Sequence, residues 1–179
     1  MSTLQRSTKE TRITATVTLG AGRHDVQIDD RFLAHMVETL ARYSGLDIQV
    51  EAEGDLRHHL VEDVAIVLGQ ALAQEVPEGV TRFGDALIPM DEALVQAAID
   101  VGGRPYYVGK LPSKLYTHFL HSFATNLGAT LHVRVLRGSD RHHVVEAAIK
   151  ATGMSLRQAL VPADEVFSTK GAVQQEVDS

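Results

Sequence analysis

Two copies of one short pattern hold the residues best suited to chemistry in this chain. Arg57-His58-His59-Leu60-Val61-Glu62 returns 84 residues later as Arg141-His142-His143-Val144-Val145-Glu146. On a helix, His58 and Glu62 share one face, and His59 is also a neighbour of Glu62. Adjacent histidines diverge by about 100° around the axis, so one helix can aim one imidazole at one ion and the next at a second. His35 and His118 sit at matching places in the preceding segments FLAHMVETLA and LYTHFLHSFA, which brings the set to six His and two Glu, enough for two metal sites. Nitrogen and oxygen donors without sulfur suit Mn, Fe, Zn, Co or Ni. The matched residues persist while their neighbours drift: Asp63 stands against Ala147 and Val67 against Ala151. His24, His121 and His132 have no counterpart in the other copy and read as ordinary histidines. The pattern is not the zincin HExxH, whose Glu lies between its two His.

Two further features suit an anionic substrate. Arg82 in TRFGD and Arg104 in GGRPY lie in glycine-bearing turns, from which a guanidinium can reach a phosphate. Ser168-Thr169-Lys170-Gly171 offers two hydroxyls, an ammonium and a flexible glycine in a late loop that could close over the same group.

The elements that must position these residues also come in two copies. LGAGR ending at Arg23 resembles DVGGR ending at Arg104, a third matched block in the same order. Alternation at Ile13, Ala15, Val17 and Leu19, continued by Val26 and Ile28, predicts strands. Phe32, Leu33, Met36, Val37 and Leu40 then form a helical face, closed by Gly45. Ile48, Val50 and Ala52 give another strand, and a second helix follows from about Leu56 with Asp55 as its expected N-cap. Each half thus reads strand-strand-helix-strand-helix. The expected organisation is one duplicated α+β domain over 1–179, with two mixed sheets and layered helices. The first copy covers about 7–79 and linking strands about 80–90. The second copy covers about 91–165, followed by a phosphate loop and polar tail over 166–179. Neither half alone, with two helices of one apolar face each, buries much core, so the copies are expected to pack together.

Composition narrows the class further. No apolar run approaches the roughly 18 residues of a membrane span, and MSTLQRSTKETR lacks the apolar centre of a signal peptide, so a cytoplasmic protein is expected. Cysteine is absent, which excludes thiolate catalysis and every Cys-based metal site. A net charge of −6 and only 5% aromatics argue against nucleic-acid binding.

These residues resemble the imidazoleglycerol-phosphate dehydratase family, the lyases of histidine biosynthesis. The resemblance rests on the two HHxxE helices, each after a His-bearing helix, an early KET, a central PMDEAL, a GR turn and a late STKG, from about Ser7 to Gly171. It implies metal-dependent dehydration of imidazole glycerol phosphate to imidazole acetol phosphate, with two Mn²⁺ per active site. It also implies helices sandwiched between two sheets and subunits assembled as 24-mers with sites between them. By motif, the metal ligands would be His35, His58, His59, Glu62, His118, His142, His143 and Glu146. Glu10 of KET would move a proton, and Arg82, Arg104, Lys150, Ser168, Thr169 and Lys170 would contact substrate. Two metals on the two ring nitrogens would stabilise an imidazolate, which the poorly acidic carbon proton requires.

The chain departs from the family pattern at Ala34 of FLAHM, at Glu38-Thr39 and at Tyr43. It also lacks the acidic residues that precede the first His pair in the family, with Arg57 in the place of one. Two other readings use the same residues. One is a dinuclear-metal hydrolase or other lyase acting on a phosphorylated small molecule. The other is a non-catalytic metal-binding scaffold, which would have no use for Glu10, Arg104 and Lys170 together.

Overall fold

The computed structural model describes residues 1–163. In chain order the elements are β1 (Ser2–Ser7), β2 (Thr11–Leu19), β3 (His24–Ile28), α1 (Arg31–Ser44), β4 (Leu46–Gly54) and α2 (Arg57–Ala73), then β5 (Phe83–Met90), β6 (Ala93–Asp100), β7 (Tyr106–Gly109), α3 (Lys114–Leu127), β8 (Thr130–Arg137) and α4 (Arg141–Ala159). The strand-strand-helix-strand-helix order holds in both halves, and each half carries one more strand in front of it. The linking strands expected over about 80–90 are instead the single strand β5, which hairpins onto β6 as the edge of the second sheet. Its partner in the first half is β1, in the polar segment ahead of the expected first copy. The reason is local: β1 has one wet face and packs at an edge, so it shows little apolar alternation.

Both sheets are mixed and have the same plan, β1-β2-β4-β3 and β5-β6-β8-β7. In each, the strand last in sequence, β4 or β8, runs antiparallel to one neighbour and parallel to the other. Ile13, Ala15 and Val17 of β2 and Leu46, Ile48 and Val50 of β4 are buried, as are Val95, Ala97 and Ile99 of β6 and Leu131 and Val133 of β8. One face of each sheet is therefore dry, and the helices cover it, α2 packing on β1 and β2 and α4 on β5 and β6. Asp30 and Ser113 cap α1 and α3 through side chains that accept from Leu33 and Tyr116 N–H groups, and Gly45 and Gly128 end them in the left-handed conformation.

The two halves are joined crosswise: α2 packs on α3, and α4 packs on α1. A repeated glycine makes each crossing close. A Cβ on Gly69 of α2 would stand 2.6 Å from the Phe123 carbonyl oxygen of α3, and one on Gly153 of α4 would stand 2.9 Å from the Tyr43 Cβ of α1. Gly69→Val is expected to lower stability by about 2–3 kcal/mol, since the new methyls meet backbone that cannot yield. A urea midpoint equal to that of the wild-type chain would show a looser crossing. No helix among the described residues is long and apolar enough to cross a membrane.

Candidate metal centre

The crosswise packing decides which histidines meet. His35 of α1 comes from the first half, and His142 and Glu146 of α4 come from the second. Their ligand atoms all lie within 4.8 Å of one another, the single such group among the described residues. His35 Nε2 is 3.2 Å and His142 Nε2 is 3.0 Å from the same oxygen, Glu146 Oε2. In the other crossing, His118 Nδ1 of α3 faces Glu62 Oε2 of α2 at 3.8 Å, with His58 one turn before Glu62. Each HHxxE helix thus completes its group with the histidine of the opposite half, not the one that precedes it in sequence.

Glu146 is the best-held member. Its side chain is only 9% exposed, and Lys150 Nζ, 2.8 Å away, donates to Oε1. Burial pushes the Glu146 carboxyl up, but hydrogen bonds from Lys150, His35 and His142 outweigh it and hold the group at about 2. A carboxylate ionised at neutral pH beside two imidazole nitrogens is a donor set that fits a divalent first-row ion. Lys150 is thereby engaged with Glu146, and its ammonium also lies 5.5 Å from the centre of the Tyr43 ring.

The second histidine of each pair turns elsewhere. His59 Nδ1 is 2.8 Å from Asp55 Oδ1 and 3.6 Å from Glu10 Oε2. His143 Nδ1 is 2.7 Å from Glu92 Oε2, while its Nε2 lies 3.6 Å from Asp91 Oδ2. The Asp55 hydrogen bond chiefly raises His59, and the Glu92 bond chiefly raises His143, above the ordinary imidazole value. Glu92 is held at about 2, first by His143 and then by the Asp140 N–H.

Asp55 is not the N-cap of α2. That position is Leu56, with no side-chain cap bond, because the Asp55 carboxylate is directed at His59 and at the Leu56 N–H. Sequence reasoning thus assigned Asp55 to the wrong partner and passed over Glu92 within PMDEAL. The missed signal was positional: Glu10 and Glu92 each directly precede the second strand of a half.

The anion-binding candidates are scattered. Arg82, at a positive φ of 75°, pairs with Asp100 at 2.7 Å through Nε. Arg104 is exposed in the loop before β7. Ser168, Thr169 and Lys170 lie outside the described residues. Beside His142 a cavity of about 270 Å³ is lined by Phe32, Tyr116, Val145 and the duplicated pair Arg57 and Arg141. Arg57 also pairs with Asp30, which caps α1.

The comparisons with known proteins agree on one family. The model of the family described as imidazoleglycerol-phosphate dehydratase matches residues 29–156. A Cereibacter sphaeroides protein of that name is 43% identical, over 94% of this chain and 96% of its own length. The crystal structure of the Pyrococcus furiosus protein superposes with a TM-score of 0.85 at 40% identity, covering 95% of this chain and 100% of the other. The Staphylococcus aureus imidazoleglycerol-phosphate dehydratase gives 0.80 at 30% identity, covering 91% and 100%.

Proposed function

This chain belongs to the imidazoleglycerol-phosphate dehydratase family, a family of hydro-lyases, and we propose that it dehydrates imidazole glycerol phosphate to imidazole acetol phosphate in a manganese-dependent reaction. The observation that carries the metal dependence is the meeting of His35, His142 and Glu146 from opposite halves of the fold around one small volume. His118, Glu62 and His58 form the matching group, and His59 and His143 complete the proposed ligands of two ions.

Manganese held by these histidines and glutamates would supply positive charge that eases loss of a poorly acidic carbon proton from the substrate. The chain's own residues do the rest. Lys150 holds one oxygen of Glu146 and leaves the other directed at the two imidazoles. Glu10 stands in the turn before β2 with its side chain 54% exposed, reachable by substrate, and takes up or returns the carbon proton. Arg82 and Arg104, with Ser168, Thr169 and Lys170, hold the phosphate and fix the side chain against Glu10.

The site is assembled between copies of the chain in a large homo-oligomer, a 24-mer by family resemblance. Two observations support self-association. His59 and His143 are held through Nδ1 by carboxylates away from the three-ligand group, so Nε2 of His59, and Nε2 of His143 with Asp91 3.6 Å away, suit an ion shared with another copy. The outer face of the second sheet exposes Leu87, Tyr106 and Val108 on its edge strands.

Incubation of the purified chain with imidazole glycerol phosphate and manganese is expected to release the ketone product, which chemical derivatisation detects. No ketone with the metal-loaded protein would sink the proposed activity and leave the scaffold reading.

A further inference from the structure

We infer that Asp55 and Glu92 are positioning residues that hold His59 and His143 with Nε2 presented for metal, and that this division of labour leaves Glu10 unbonded for proton transfer. The inference deepens the dehydratase reading and rests on it.

The two halves correspond at this feature, although β8 carries a bulge beside Leu94 and Val95 that β4 lacks. A Cβ on Gly54 would meet Thr11 and Leu60, and a Cβ on Gly138 would meet Ala93 and Val144. Those three pairs are counterparts, so the residues just before Thr11 and Ala93, Glu10 and Glu92, are counterparts as well. The residues just after Gly54 and Gly138, Asp55 and Ser139, form the next pair.

In the second half Ser139 has no carboxylate to offer, and Glu92 reaches His143 Nδ1 at 2.7 Å. In the first half Asp55 takes Nδ1 of His59 at 2.8 Å, and Glu10 stays 3.6 Å from that nitrogen, outside hydrogen-bond range. The same ring nitrogen is therefore satisfied in both halves from different sequence positions. Inheritance through the duplication would have kept one position for both, so the shared requirement is chemical. A carboxylate on Nδ1 fixes the tautomer with the lone pair on Nε2, fixes the ring plane and strengthens Nε2 as a donor.

The division explains why equivalent glutamates have different work. Glu92 is committed on both oxygens: Oε2 to His143, and Oε1 to the backbone N–H groups of Ser139 and Asp140 at 3.1 and 2.8 Å. The Glu10 side chain accepts no hydrogen bond among the described residues, because Asp55 relieves it of its histidine.

The test is manganese titration of metal-free protein by calorimetry, with urea midpoints taken in chelator. Asp55→Asn and Glu92→Gln are each expected to weaken manganese binding by about 10- to 100-fold. Glu10→Gln should stay within about threefold of wild type. Adding Ser139→Asp to Glu92→Gln should recover most of the loss, by giving the second half the arrangement of the first. Wild-type affinity in both single variants overturns the inference, as does an equal loss in Glu10→Gln, which would mean that net charge alone matters. If Glu92→Gln lowers the urea midpoint, Asp55→Asn decides the matter, because its carboxylate supports no backbone group beyond the adjacent Leu56. Absence of manganese binding by the wild-type chain would count against the metal reading itself.

Discussion

Glu10→Gln is expected to give a folded, metal-loaded protein that binds substrate and turns it over at least about a hundredfold more slowly. A positioned general acid or base contributes about 10² to 10⁴ in rate, or roughly 3 to 5 kcal/mol in the barrier. Glutamine keeps the size and the acceptor oxygen of the side chain and removes the titrating group. Metal content should not change, because His59 Nδ1 is occupied by Asp55 at 2.8 Å while Glu10 stands at 3.6 Å. The fold should not change either: Glu10 is tied in through its backbone, with its N–H donating to Thr8 Oγ1 and its carbonyl accepting from Asp55, and the substitution leaves both bonds intact. The kinetic signature is a fall in kcat with little change in KM, as for an interaction made in the transition state. Turnover by the variant equal to wild type would remove Glu10 from the mechanism, and loss of metal would make it a ligand.

Removal of manganese is expected to abolish turnover and to shrink the particle. If ions are shared between copies, metal binding stabilises the assembled state by mass action, by about 2.7 kcal/mol per site when free metal is a hundred times its Kd. Summed over the sites of a large assembly, that bias moves the population from large particles to small ones on chelation. Light scattering with manganese, with chelator, and after manganese is restored checks this directly. A monodisperse monomer under every condition would contradict assembly, and a large particle indifferent to chelation would place the metal within single chains. Loss of Glu146 should mimic chelation at one site, because Glu146→Gln removes the ionised oxygen on which His35 and His142 converge.

Much of this was legible in the sequence because the duplication supplied a control inside one chain. Matched blocks around His35 and His118, and around the two HHxxE segments, separated retained residues from drifting ones. The periodicities gave β2, β3, β4, β6, β7 and β8 and all four helices, although α2 and α4 are buried on more than one side, between their sheet and the helix that crosses them. The edge strand β1 escaped because its outer residues are polar, and Gly84-Asp85 of TRFGD, with the look of a turn, hid the continuity of β5. The family resemblance was carried by residues that do chemistry, and the family model and the relatives agree with it.

The sequence by itself determined which donor atoms exist, that they come in two sets, and that each set rides on a helix with the period needed to present His and Glu together. It could not determine which sets meet. Adjacency in sequence pairs His35 with His58, yet packing pairs His35 with His142 and Glu146, because Gly69 and Gly153 let α2 close on α3 and α4 close on α1. Nor could it separate Glu10 from Glu92. They are the same residue type at the same place in each half, and they differ in bonding because Asp55 reaches one histidine where Ser139 cannot reach the other. Such choices depend on distances of an ångström between chain segments far apart in sequence, and only the packed tertiary structure sets those distances.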